Sequence, residues 1–306
     1  MSHGSRIARA VGDASTRRAL ALLHRVPVGR MTAFVPLQHD ASDARQCQQG
    51  SREWFAHRHG HLTASQFAAA LGFNSPGQQR KVLRDLFSTA PPRETYDACT
   101  DSLRESGAQW GHRYERSALA TYLTAYVQPR CSTARLLETG FWPIASHPSG
   151  LAMGASPDAL LEGWDSAFPG GVSVEVKCPF GGGIPRAQGK VHPRQMPQIQ
   201  GTLLATGRAH CHFVTWSPSG AAIYHVRSEP AYQQAMVESL ASITSAARAG
   251  RRLDTAEQQA AKRVRVWSAD LALGARMLVS LDASRCVMLV EAEGSGADVL
   301  DGSSRA

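Results

Sequence analysis

Lysine is almost missing from this chain: of its 33 basic residues only Lys81, Lys177, Lys190 and Lys262 are Lys, and the rest are Arg. A generic positive charge is therefore expected to be Arg, and a Lys in a chemically suggestive place asks for a specific reason. Cysteine is thin as well. The six (Cys47, Cys99, Cys131, Cys178, Cys211, Cys286) are scattered and form no C-x-x-C pair. That excludes a zinc ribbon and a disulfide framework, and it fits a reducing, intracellular compartment such as cytoplasm or nucleus. No apolar run approaches the ~18 residues of a membrane span, so no membrane partner is expected. The first 25 residues lack the continuous apolar core of a secretory signal. No internal repeat is visible.

What is present points to a polyanionic partner. The net charge is +8 and the isoelectric point about 9.5, which suit nucleic acid first. The opening "MSHGSRIARAVGDASTRRALALLHRVPVGR" holds six Arg and one acid. Its composition is that of a transit peptide, adding the mitochondrion to the expected destinations, and equally that of a basic arm. Apolar residues make up 43% of 306, enough for one sizeable core. The expected organisation is a basic arm over 1–45, one α/β domain over 46–285, and a flexible tail over 286–306.

Along the chain, a helix is expected near Thr16–Val26. In "LTASQFAAALGF" Thr63 and Gln66 have capping-box spacing, and Gly72 marks the stop. Leu103, Trp110, Tyr114, Ala118, Tyr122 and Tyr126 recur at helical spacing over Asp101–Val127. Short strands separated by Pro and Gly follow from Leu136 to Lys177. Then come a helix over Pro193–Thr206, a hairpin of "HCHFVTW" and "AAIYHVR" about "SPSG", and a helix from Pro230 to about Gly250.

The chemistry gathers around Lys177. In "VSVEVKC" Val172, Val174 and Val176 alternate with Ser173, Glu175 and Lys177, so Glu175 and Lys177 share one strand face. Upstream, "GASPD" ends in Asp158, and "ALLEGWDSAFPGG" has the turn signals of a hairpin that would set Asp158 beside Glu175. Two carboxylates and a Lys at a strand junction suit a hard cation, Mg²⁺ with Mn²⁺ as the alternative. Lys has a compact charged head, whereas Arg is a rigid fork, so a site needing a small charge near an attacking water prefers Lys.

Pro157-Asp158 followed by Glu175-Val176-Lys177 resembles the PD-(D/E)xK nuclease superfamily. "WGHRYERSALATYL" resembles the G-x-x-x-E helix of the YqaJ-type viral recombinases and the related alkaline and lambda-type exonucleases. "HRHGHLTAS" is similar to their R-x-G-x-x-T-A-S motif, and "QMPQIQG" to their Q-x-Q helix. The resemblance implies a restriction-endonuclease-like fold, a central mixed sheet flanked by helices. It implies a metal-dependent DNA exonuclease that digests one strand 5′ to 3′ from duplex ends, with homo-oligomers and a single-strand annealing protein as expected partners. By motif, Asp158, Glu175 and Glu115 are expected to hold metal, Lys177 to activate the nucleophile, and Arg58 and Ser65 to hold the substrate's 5′-phosphate. Gln198 and Gln200 lie about 200° apart on a helix, and the family pattern favours Gln198 in the site.

Met196 and Pro197 stand where the family has aromatics, and Ala159 where it often has Gly. A structure-specific endonuclease, an RNA-cutting nuclease, or a silent DNA-end-binding protein are the other readings of the same residues. Trp54, Trp110 and Trp142 are candidate base-stacking residues, with Trp110 favoured as core. His112 is expected on a helix surface. His57, His59, His61, His210 and His212 lack the ligand company of a zinc site.

Overall fold

The computed structural model describes residues 23–27, 31–89, 107–181, 184–185 and 189–290. Its main sheet has seven strands: β1 (Phe34–Val35), β2 (Arg135–Leu137), β3 (Ala159–Glu162), β4 (Val172–Lys177), β5 (His210–Ser217), β6 (Gly220–Arg227) and β7 (Arg276–Asp282). The α-helices are α1 (Arg52–Arg58), α2 (Ala64–Ala70), α3 (Pro76–Leu86), α4 (Gly107–Tyr122), α5 (Met196–Thr206), α6 (Pro230–Arg248) and α7 (Thr255–Gly274). None of the described helices is long and apolar enough to cross a membrane.

Spatial order follows chain order, from β1 at one edge to β7 at the other. The pairs β1–β2 and β4–β5 are parallel and the other four antiparallel. A parallel neighbour cannot be reached by a tight turn, so each parallel pair carries a crossover. Helices α1 to α4 lie in the first, and α5 lies in the second. This is the expected mixed sheet flanked by helices.

The residues of β4 explain why the sheet is covered on both sides. Val172, Val174 and Val176 join Val214, Trp216 and Ile223 in a core capped by Trp110, Ala118, Tyr122 and Leu123 of the α4 segment. On the opposite face Ser173 meets Thr206 of α5 at 3.0 Å, while Met196, Ile199 and Leu203 pack on Phe213 and Tyr224. The polar face of β4 is therefore not solvated: Ser173 and Glu175 are buried.

A third core ties α2 to α6 and α7 through Phe67, Tyr232, Met236 and Val264. Helices α2 and α5 nearly touch at Gly201, where a Cβ would lie 2.6 Å from the Phe67 ring. Only glycine lets the two come this close, and their approach sets the distance between Ser65 and Gln198. The start of α2 is the expected capping box, with the Thr63 N–H donating to Gln66 Oε1 at 3.0 Å. Gly72 just beyond its end takes φ +79°, the left-handed region that glycine enters without strain.

Two expectations at the ends are corrected. The helix expected to reach Val26 is, in its described part, a strand: His24–Pro27 pairs in parallel with Val287–Val290. Cys286 and Val287, placed by sequence in the tail, are buried in the core. Four-residue strands give too short an alternation to read, and their partner is at the other end of the chain. The stretches 1–22, 28–30 and 291–306 lie outside the described residues, but 31–45, also expected in the arm, is described: it supplies β1 of the main sheet, and its Met31 and Ala33 are buried in the core. The helix expected over Asp101–Val127 is α-helical from Gly107 to Tyr122 and π-wound over Leu123–Val127, with 101–106 outside the described residues.

Candidate active site

The β3–β4 hairpin pairs Ala159 with Val174, which puts Asp158 opposite Glu175 as the turn signals implied. Asp158 is held at both ends of its own residue. Its N–H donates to Val174 O at 3.2 Å, and its Oδ2 accepts the Val176 N–H at 2.6 Å. A charge-assisted bond of this kind fixes the carboxylate's direction.

Glu175 is 1% exposed. Its Oε1 accepts from Lys177 Nζ and from Gln198 Nε2, so α5 and the end of β4 converge on one oxygen. Its Oε2 is buried with no hydrogen-bond partner. A buried carboxylate oxygen left bare costs free energy unless something positive meets it. Gln200, on the other side of α5, is occupied elsewhere: it donates to Arg227 O at 2.7 Å and accepts the Glu229 N–H at 3.0 Å.

Electrostatics tell the same story. Burial, then the nearby charges of Glu175 and Glu115, hold the Asp158 carboxyl well above its ordinary range. Burial raises Glu115 on α4 to about 7; Lys177 opposes the rise and Glu175 adds to it. Burial works to lower the Lys177 ammonium, but Glu175 and Asp158 outweigh it, so the amine is held above its usual value. Lys177 faces the three carboxylates Asp158, Glu175 and Glu115. A divalent ion would relieve their repulsion and meet the bare oxygen of Glu175, so the donor set fits Mg²⁺ or Mn²⁺. Among the described residues no three His, Cys, Asp or Glu side chains form a ready-made metal cage. Mg²⁺ does not need one, because it keeps several waters and takes one or two carboxylates plus substrate phosphate.

A pocket lined by an arginine and two serines adjoins this centre. Arg58, in the last turn of α1, has its guanidinium carbon over the Trp54 ring, 4.0 Å from the centroid, and donates to Ser156 Oγ at 2.8 Å. Trp54 Nε1 donates to the same oxygen at 3.1 Å. Stacking and a fixed acceptor together hold the guanidinium in one plane. Ser65, in the first turn of α2, sits 3.1 Å from Thr63 Oγ1. Arg58, Ser65 and Ser156 line one cleft of about 390 Å³ with Glu115, Asp158, Glu175, Lys177 and Gln198.

Every residue singled out by sequence for the site thus meets in one cleft. Reading by motif missed Ser156, Gln49 and Arg194. Ser156 had a signal, since it stands two residues before Asp158. Gln49 had none: it donates to the carbonyls of Thr139 and Pro157 at 2.9 and 2.8 Å, bracing the strand start from a distant loop. Trp54 is 2% exposed and serves as the platform for Arg58 rather than as a surface for bases. Trp110 is core as expected, and His112 is exposed on its helix as expected while also lining the cleft.

Comparison with known proteins follows the same residues. The model of the YqaJ-like viral recombinase domain matches residues 53–209, just over half the chain, a span that contains all seven motif residues. Among solved structures, the alkaline exonuclease LHK-Exo from Laribacter hongkongensis is similar, both in its own crystal structure and in one in complex with dAMP. Each is 21% identical with a TM-score of 0.43, over 72% of this chain and 100% of the other. No curated protein matches the sequence. The chain belongs to the family of YqaJ-like viral recombinase domains, the recombination nucleases that its motifs resemble.

Proposed function

We propose that this protein is a metal-dependent exonuclease that enters DNA at a duplex end and removes one strand 5′ to 3′. The observation that carries the reading is the adjacency of two unlike sites in one cleft, a carboxylate–lysine centre and an Arg58–Ser65–Ser156 anion pocket. Asp158, Glu175 and Glu115 would hold Mg²⁺ or Mn²⁺, which when bound supplies Lewis-acid stabilisation of the phosphate and a water acidic enough to attack.

The chain's own groups do the positioning. Gln198 and Lys177 fix Glu175 from two sides, and the Val176 N–H fixes Asp158. Lys177 turns its ammonium to the cleft, where it orients the attacking water and shares the charge that gathers on the phosphate. Water's oxygen forms a bond to phosphorus as the P–O3′ bond breaks, leaving a 5′-phosphate and a 3′-hydroxyl. Arg58, Ser65 and Ser156 hold the terminal 5′-phosphate, so each product end is again a substrate. A single-strand annealing protein that takes up the strand left behind fits this polarity, as does a homo-oligomer.

End-labelled linear duplex and closed circular duplex, each with and without Mg²⁺, test the reading. Stepwise loss of 5′ label from linear DNA only, and only with Mg²⁺, is expected. Rapid cutting of closed circles would replace it with an endonuclease.

A further inference from the structure

Two stretches away from the cleft are strongly basic. Residues 76–88 and 248–265 carry nine Lys or Arg against three Asp or Glu, a surplus of six in a chain of net charge +8. The fold brings these two stretches together at the corner of α3, α6 and α7. Gln79 of α3 and Arg265 of α7 both lie 3.6 Å from the point where a Cβ on Gly72 would stand. At the other end of α3, the Arg248 guanidinium lies 5.1 Å from the Phe87 ring. Between them runs a groove of about 440 Å³, lined by Gln79, Gln258, Gln259, Lys262 and Arg265.

A basic face is often only a solvated one, and part of this one is neutralised. Lys81 and Arg84 both pair with Asp85, and Arg251 pairs with Glu257. Among the described residues, no carboxylate lies within ion-pair distance of Arg80, Arg252, Lys262 or Arg263, all of which are exposed. Exposed cations without a carboxylate partner attract a polyanion, which releases its own counterions on binding. The lining adds the amide of Gln259, a neutral group that suits phosphate oxygens without fixing a sequence, while Gln79 and Gln258 already donate to the carbonyls of Ala70 and Leu253.

The groove is linked to the cleft by one short helix. Ser65 in the first turn of α2 lines the cleft, and Leu71 and Gly72 just past its last turn line the groove. Seven helical residues span about 10 Å, the length of roughly three base pairs.

We propose that the α3–α6–α7 groove is a second DNA-contact surface that grips the phosphate backbone of duplex away from the end being cut. The proposal rests on the nuclease reading for its substrate, but its test does not. Binding is measured in EDTA on a 40-base-pair duplex, where nothing is cleaved, for the wild type and for the triple variant Arg80→Gln, Arg252→Gln, Lys262→Gln. All three side chains are exposed, and circular dichroism melting checks the fold. The variant is expected to bind at least about tenfold more weakly at moderate salt, with the log–log salt slope reduced by about two to three. Its single-turnover cleavage rate at saturating protein should stay within about twofold of wild type, because the cleft is untouched. Wild-type affinity and slope in the folded variant would overturn the proposal, whether or not the surface then binds an acidic protein. Failure of the nuclease reading would look different: no cleavage by either protein, with the binding difference intact.

Discussion

Lys177 and Gln198 donate to the same oxygen of Glu175, one from the end of a strand and the other from a crossover helix. The pairing leaves the second oxygen of Glu175 buried without a hydrogen-bond partner, the position the proposed cation would meet. A hydrogen bond to a charged group is worth about 1.5–3 kcal/mol. Gln198→Ala should therefore slow single-turnover cleavage by about 10- to 100-fold with little change in DNA affinity. Gln200→Ala should instead lower the melting temperature, because Gln200 ties α5 to the start of α6.

The chain's preference for Arg makes a sharp test of Lys177. If its ammonium must sit beside Glu175 and face an attacking water, Arg is too long and its charge is spread over a rigid plane. A displacement of ~1 Å can cost about 100-fold in rate, so Lys177→Arg should lose at least that much and Lys177→Ala no less. A Lys177→Arg rate within about threefold of wild type would remove Lys177 from the chemistry.

Arg58 and Ser156 should act as one unit, since the guanidinium is both stacked on Trp54 and bonded to Ser156. The wild type should prefer 5′-phosphorylated over 5′-hydroxyl ends. Arg58→Ala should erase most of that preference, and Ser156→Ala should weaken it. Equal initial rates on the two ends in the wild type would contradict the pocket's assignment.

A pH dependence of stability follows from histidines at the far end of β5. Burial, then the neighbouring rings of His225 and His210, pushes His212 down to about 3. His225 is pushed down to about 4 by burial, His210 and Arg276. His212 Nδ1 lies 2.6 Å from the Tyr122 hydroxyl. Both rings are neutral in the fold, so below about pH 6.5 the unfolded chain takes up protons that the native state refuses. Stability is unaffected above that pH and falls as pH drops toward 3, by about 1.4 kcal/mol per unit for His212 alone. Urea melts at pH 7.5, 6 and 5 check this, and His212→Gln should flatten the profile.

The local parts of this molecule were readable in its sequence. The β3–β4 register follows from a Pro before Asp158, turn residues after Glu162, and the two-residue alternation of β4. The β5–β6 hairpin follows from two mostly buried runs that flank the turn residues Ser217–Gly220. What sequence does not carry is partnership across distance. Nothing in "HRVP" announces a strand that waits for Val287–Val290, and nothing in Gln49 announces its carbonyl acceptors at Thr139 and Pro157. Helix α7 has an N-terminal capping box at Asp254 and Glu257 and was legible in principle, but no motif drew attention to it.

The central claim is that Asp158 and its neighbours form a cation-dependent phosphodiesterase centre. Asp158→Asn keeps the size of the side chain and removes its charge. Measured on one 5′-phosphorylated linear duplex with Mg²⁺ under single-turnover conditions, it should lose at least about 1000-fold in rate, the several kcal/mol that a metal-held transition state supplies. Its affinity for the duplex in EDTA and its melting temperature should match or exceed those of the wild type, because a buried repulsion has been removed. A folded Asp158→Asn protein that degrades the duplex at the wild-type rate would contradict the account.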